Sequence, residues 1–266
     1  MLRDRRIIFT ASFLRAVANG LIGVLAGIYL AQLGLDPAAW GAVLGAGIAG
    51  TAVGAAGVMF WGDRIGRKRW LVALGVLAAA GGIVFAFSSQ VVVLGVAAFL
   101  GMLNSLGKDR AAALAIEQAI LPSTGGDAER TRAFAWYNVI QDVGHALGAA
   151  LAVLPPLLRD FGGVDPLDSL RAAVILYAVL YAVTAFLYLG LSSQAESPTA
   201  ALRVEVSPQS RSILTRMSFL FALDSFAGGF QGSALFAYFF HAQFGASEAM
   251  IGMLFEIGRA SCRERV

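Results

Sequence analysis

Asn138, Gln141, Asp142 and His145 follow spacings of i, i+3, i+4 and i+7, which puts four polar side chains on one face of a helix. A carboxyl and an imidazole one turn apart can hold and release protons. Burial raises the pKa of the acid, and a nearby cation lowers it. Other groups of the same kind recur along the chain. Arg15 and Asn19 share a helical face with Gly20 and Gly23 nearby, and Asp224 and Gln231 stand seven residues apart. The run "NSLGKDRAAA" supplies Asn104, Lys108, Asp109 and Arg110, where Asn104 and Lys108 pair on one face and Arg110 pairs with Glu117. Asp109 or Asp142, buried near a cation, is a plausible proton carrier; the alternative is a static ionic network that packs helices together.

The surroundings of these residues are strongly apolar. The chain has 266 residues, 58% apolar and 14% charged, against about 25% charged in soluble domains. Such a chain reads as a polytopic membrane protein of the all-α class. Windows long enough to cross about 30 Å of hydrocarbon lie at 7–33, 38–61, 70–88, 93–121, 133–158, 170–191 and 214–241, with an eighth starting near 247. They read as helices, because a lipid-exposed backbone must satisfy its own hydrogen bonds. The strict ten-residue alternation of a barrel is missing. The basic start "MLRDRR" resembles a signal peptide, but its apolar run is too long and lacks a cleavage pattern, so it reads as a retained span.

Orientation follows from the cations. A cytoplasmic N-terminus places Arg3, Arg5, Arg6, Arg64, Arg67, Lys68, Arg69, Arg130, Arg132, Arg203, Arg211 and Arg216 inside, and only Arg159 and Arg171 outside. The expected location is a plasma membrane of the bacterial inner-membrane kind. These basic residues are accounted for by orientation, so nucleic acid is not an expected partner; the lipid bilayer is. With two histidines far apart and no HExxH-like spacing, neither an enzyme site nor a metal site is expected, and no cofactor is implied.

The ending "IGRASCRERV" is the translation of a common sequencing-adapter sequence, so 256–266 are expected to be a non-native tail. Cys262, the single cysteine, would then carry no native thiol chemistry. Within the ten residues "IGRASCRERV", three arginines against Glu264 also account for +2 of the formal net charge of +3. The expected organisation is a six-helix bundle over 1–191, a cytoplasmic linker over 192–212, and the start of a second bundle over 213–255. An internal repeat supports that division: "AQLGLDPAAWGAVL" (31–44) aligns without gaps to "AQFGASEAMIGMLF" (242–255).

Charge is also concentrated in "MFWGDRIGRKRW" (59–70), between the second and third spans. A short hairpin needs a sharp turn there, which Gly66 permits. Asp63 can accept from exposed N–H groups at a neighbouring helix start, and Arg64 and Arg67 can fork onto carboxylates. This stretch resembles the signature G-x-L-a-D-R-x-G-R-K of the major facilitator superfamily, matching it at Asp63, Arg64, Gly66, Arg67 and Lys68 and departing at Met59, where the family has glycine. The resemblance implies two six-helix bundles working by alternating access, with the loop latching them together in one state. It implies secondary active transport of a small solute, coupled to protons, by a protein that is monomeric when full length. It also implies that the first, fourth and seventh helices line a central pathway, flanked by the fifth, while the third and sixth face lipid. Arg15, Asn19, Asn104, Lys108, Asp109, Arg110, Asn138, Gln141, Asp142, His145, Asp224 and Gln231 are the expected pathway residues. A transporter-like sensor or scaffold, or a truncated fragment without function, is the alternative. "GHALGAAL" (144–151) has Gly144 and Gly148 but no Gly-Pro pair, so antiport does not follow from it. The glycines of the second span read as a ridge for close helix packing.

Overall fold

The computed structural model describes residues 2–103, 112–124, 127–196, 207–229 and 233–254. The described residues contain helices and turns but no strand. The helices are α1 (Leu2–Gln32), α2 (Pro37–Ile65), α3 (Arg67–Phe87), α4 (Val91–Gly101), α5 (Ala112–Ile120), α6 (Asp127–Ala150), α7 (Leu154–Gly162), α8 (Pro166–Leu189), α9 (Pro208–Gly229) and α10 (Ser233–Phe244). By length and apolarity α1, α2, α3 and α8 can each cross a membrane.

Local chemistry sets the helix ends. α1 stops at Gly34, whose φ of 79° suits a residue without Cβ. Asp36 then caps α2, its Oδ1 accepting from the Ala39 N–H at 2.7 Å, with Pro37 pre-set for the first turn. Gly66, at φ 102°, is the whole joint between α2 and α3. Asp165 and Pro166 start α8 in the way that Asp36 and Pro37 start α2.

Three spans differ from the sequence expectation. The fourth is not one continuous helix, because α4 ends at Met102 in the left-handed conformation and α5 begins at Ala112. The fifth begins earlier, at Asp127, and is interrupted at 151–153, where Pro155 and Pro156 remove backbone donors and α7 starts. The seventh begins earlier, at Pro208, so that α9 includes 208–212 of the expected linker, and residues 230–232 between α9 and α10 lie outside those described.

The repeat recurs in the fold. Gly245 takes φ 63° after α10, as Gly34 does after α1, and the Ser247 hydroxyl accepts from the Met250 N–H at 3.3 Å as Asp36 does from Ala39. Each pair is offset by the 211 positions of the alignment.

α1 lies at the centre, packed between α6 and α8, with α3 against α8 and α2 against α4. Helices in lipid gain nothing by hiding apolar surface from one another, so close backbone approach has to supply the contact. At the α1–α6 crossing a Cβ on Gly148 would lie 2.9 Å from the Leu21 nitrogen, and one on Gly144 would lie 2.9 Å from the Phe13 carbonyl oxygen. The α2 ridge is used only in part. Gly47 and Gly50 abut the backbone at the end of α4, whereas Gly41 and Gly45 face open space. α3 and α8 turn Val76, Ile83, Phe87, Val183 and Phe186 outward, an apolar surface suited to hydrocarbon.

Gly148→Ala is therefore expected to destabilise the protein by about 1–3 kcal/mol through overpacking. Gly41→Ala, which meets nothing, should leave stability unchanged or slightly raised. Denaturation midpoints of the two variants purified in detergent check this.

Candidate functional site

Among the described residues, the interior of the bundle holds a buried charged network. Arg15 is 1% exposed and Glu117 0%. The guanidinium Nη2 of Arg15 donates to Glu117 Oε2 at 2.7 Å, and its Nη1 donates to the Tyr188 hydroxyl oxygen. Tyr188 in turn donates its O–H to Glu117 Oε1 at 2.7 Å, and Tyr137 donates to Oε2 at 2.6 Å. Arg15 of α1, Tyr137 of α6 and Tyr188 of α8 thus close around the Glu117 carboxylate of α5. Three donors, one of them a guanidinium, match both oxygens of the carboxylate. The group has no nucleophile, and no cluster of three metal-ligating side chains occurs among the described residues.

One turn beyond Arg15, Asn19 accepts from the Tyr181 O–H at 3.1 Å. Its Nδ2 has no hydrogen-bond partner among the described residues. Beside it lies a cavity of about 20 Å³ bordered by Arg15, Asn19, Tyr181, Thr184 and Tyr188, enough for about one water.

The polar face of α6 divides. Gln141 and His145 are buried toward α1, and the His145 carbonyl oxygen lies against Gly20. Asn138 and Asp142, at the edge of the same face, are exposed. Asp224 is exposed on α9. So the expected pathway residues do not form one cluster in the described part. Arg15, Asn19, Gln141 and His145 pack inside the bundle, while Asn138, Asp142 and Asp224 lie on its surface. Asn104, Lys108, Asp109, Arg110 and Gln231 lie outside the described residues.

The loop between α2 and α3 makes its contacts close by. Lys68 Nζ donates to the Leu191 carbonyl at 2.9 Å, and Arg67 Nη1 to the Ala119 carbonyl at 3.3 Å. These are the ends of α8 and α5, where exposed carbonyls favour a cation. Glu196 sits over Gly66, so that any Cβ there would collide with its carboxylate. Next to it Asp4, 3% exposed, accepts from the Ser192 N–H at 3.1 Å and from its hydroxyl. Arg64 is exposed, and the Asp63 side chain lies outside those described. Met59, at the position where the signature has glycine, is 80% exposed and packs nothing tightly.

Sequence reasoning missed Glu117 and Tyr188 as partners of Arg15, and Tyr137 as a partner of Glu117. Glu117 was expected to pair with Arg110, close to it in the chain. The usable signal was the rule that an intramembrane acid needs a cation, and Arg15 is the one cation of the first span beyond its basic start.

A profile of the Major Facilitator Superfamily matches residues 8–262. The chain belongs to this superfamily. Over 96% of its length it is 24% identical to the uncharacterized membrane protein YJR124C of Saccharomyces cerevisiae, of which it spans 64%. Among solved structures it is similar to a bacterial homologue of the human drug peptide transporters PepT1 and PepT2, with a TM-score of 0.57 and 15% identity, covering 96% of this chain and 53% of that one. It is similar too to the human organic anion transporter MFSD10 (TETRAN), with a TM-score of 0.56 and 17% identity, covering 96% and 68%. At such identities the likeness is one of fold. Membership of the superfamily makes the chain an integral membrane protein of a transporter family, and the helical fold of the described residues agrees.

Glu117→Ala should cost about 3–5 kcal/mol, because it strands a buried guanidinium. The double change Arg15→Met with Glu117→Leu should recover most of that loss. Unfolding midpoints of the single and double variants in detergent decide it, and equal losses in both would disprove the pairing.

Proposed function

We propose that this chain belongs to a secondary active transporter that carries a small solute across the membrane by alternating access, with the movement coupled to protons. The observation that carries this reading is the ionisable network buried among apolar helices in a chain of a transporter superfamily. Charges at such depth are costly and accompany a polar route or the scaffold beside it. Arg15 and Glu117 are committed to one another, so they make the rigid core of the first bundle. The route itself is assigned to the groups left at its surface, Asn138, Asp142 and Asp224, together with Asn104, Lys108, Asp109, Arg110 and Gln231.

A route with both cations and carboxylates suits an organic anion, a zwitterion or a proton-coupled drug. Peptides and organic anions are named for the two structural neighbours, and both fall within that range. The arginine-rich side, with the N-terminus, is assigned to the cytoplasm of a plasma membrane of the bacterial inner-membrane kind. The working unit is assigned as a monomer of two bundles, with 1–191 the first, 192–212 the connector, 213–255 the start of the second, and 256–266 a non-native tail. In that arrangement the α2–α3 loop latches the two bundles as well as clasping its own.

Protein from the complete gene, reconstituted in liposomes, should move solute faster when a pH gradient is imposed. Binding without flux would instead favour a sensor. Asp142→Asn should abolish proton-driven flux while leaving membrane insertion intact; full activity in that variant would remove Asp142 from the mechanism.

A further inference from the structure

All the close contacts described between the first bundle and the segment beyond the linker lie at one end of the molecule, where α1 finishes and α2 and α8 begin. α10 packs against α1. The Trp40 and Tyr238 rings stand 4.9 Å apart. Gly252 comes so close to α6 that a Cβ there would collide with the Ala149 carbonyl and lie 3.7 Å from the Ala152 Cβ. At the opposite end every residue of α9 from Ser210 to Asp224 is exposed. Among the described residues, therefore, the two halves touch at one end, and α9 stands exposed beyond it.

An ion pair closes the touching end. Arg159 Nη2 lies 2.7 Å from Glu248 Oε1, with the glutamate side chain 6% exposed. Both partners are fixed by their own helix ends. Arg159 is in the last turn of α7, where a cation is favoured, and that turn is closed by the Gly163 N–H on the Arg159 carbonyl at 3.1 Å. Glu248 opens the helical stretch 248–254 just after the Ser247 cap, where an acid is favoured.

We propose that the Arg159–Glu248 pair is a lock that holds this end of the two bundles shut and has to break for the cleft to open there. The proposal rests on the alternating-access reading above. It adds a device that the signature loop, on the opposite side of the membrane, does not supply. A hydrogen-bonded charge pair whose carboxylate is buried suits this task. Removing Arg159 leaves the Glu248 carboxylate desolvated and alone, and removing Glu248 takes away the only half of the pair that is enclosed, so each change favours the open state.

The test is a labelling rate rather than a flux, so it can fail separately from the transport reading. In detergent-purified protein from the complete gene, with any native cysteines replaced by Ser, Ala152→Cys reports on opening because Gly252 covers it. Ala173→Cys, buried inside the first bundle, reports on general unfolding. Arg159→Gln or Glu248→Gln should raise maleimide labelling at position 152 by about tenfold or more and leave position 173 unchanged. The charge swap Arg159→Glu with Glu248→Arg should bring the rate back toward that of the parent. Unchanged labelling at 152 in both single variants overturns the lock, as does a parallel rise at 152 and 173. A rise at 152 alone in a protein that shows no flux upholds the lock and removes the transport reading.

Discussion

A guanidinium and a carboxylate in a dry interior lose more by desolvation than their attraction alone returns unless every remaining donor and acceptor is matched. Arg15 and Glu117 meet that condition only because Tyr137 and Tyr188 arrive from two further helices. The requirement runs in both directions. The charges need four helices in register, and the four helices acquire a register that apolar side chains sliding over one another would not impose. α1, α5, α6 and α8 are thus specified as a set. The glycine contacts at Gly20, Gly144 and Gly148 bring the α1 and α6 backbones close enough for the tyrosine on α6 to reach the carboxylate.

The same logic separates scaffold from route. Buried groups with matched partners are poor candidates for movement, since each displacement uncovers a charge. Asn138 and Asp142 share a helical face with Gln141 and His145, yet only a few tens of degrees of rotation around α6 decide which pair is enclosed by α1 and which is left at the surface. The static-network reading suits Arg15, and it is only in the proposed function that the surface carboxylates take the proton-carrying role.

Helices and their caps were legible in the sequence because they depend on neighbours. Apolar windows, the Asp36–Pro37 start, the glycine joint at 66 and the repeated corner at 34 and 245 are all local signals. Pairings across the bundle were not legible. Glu117 lies 102 residues from Arg15 and 71 from Tyr188, and nothing in helical spacing links them. Arg110 was preferred as its partner because it is near in sequence, which is the only distance a sequence measures. The breaks at Met102 and Leu151 were missed for a related reason. A window of apolar composition registers hydrocarbon depth but not the direction of the axis, and a left-handed residue or a proline pair changes direction without changing hydropathy.

The clasp formed by Lys68, Asp4 and Glu196 fixes the root of the connector between the halves. A tether anchored beside the α2–α3 hairpin cannot drift independently of it, so in the proposed alternating-access cycle a rocking hairpin would pull on the chain leading to α9. Mechanical force can pass between the halves through covalent chain as well as through packed surfaces, and the length of the tether limits how far the halves can part.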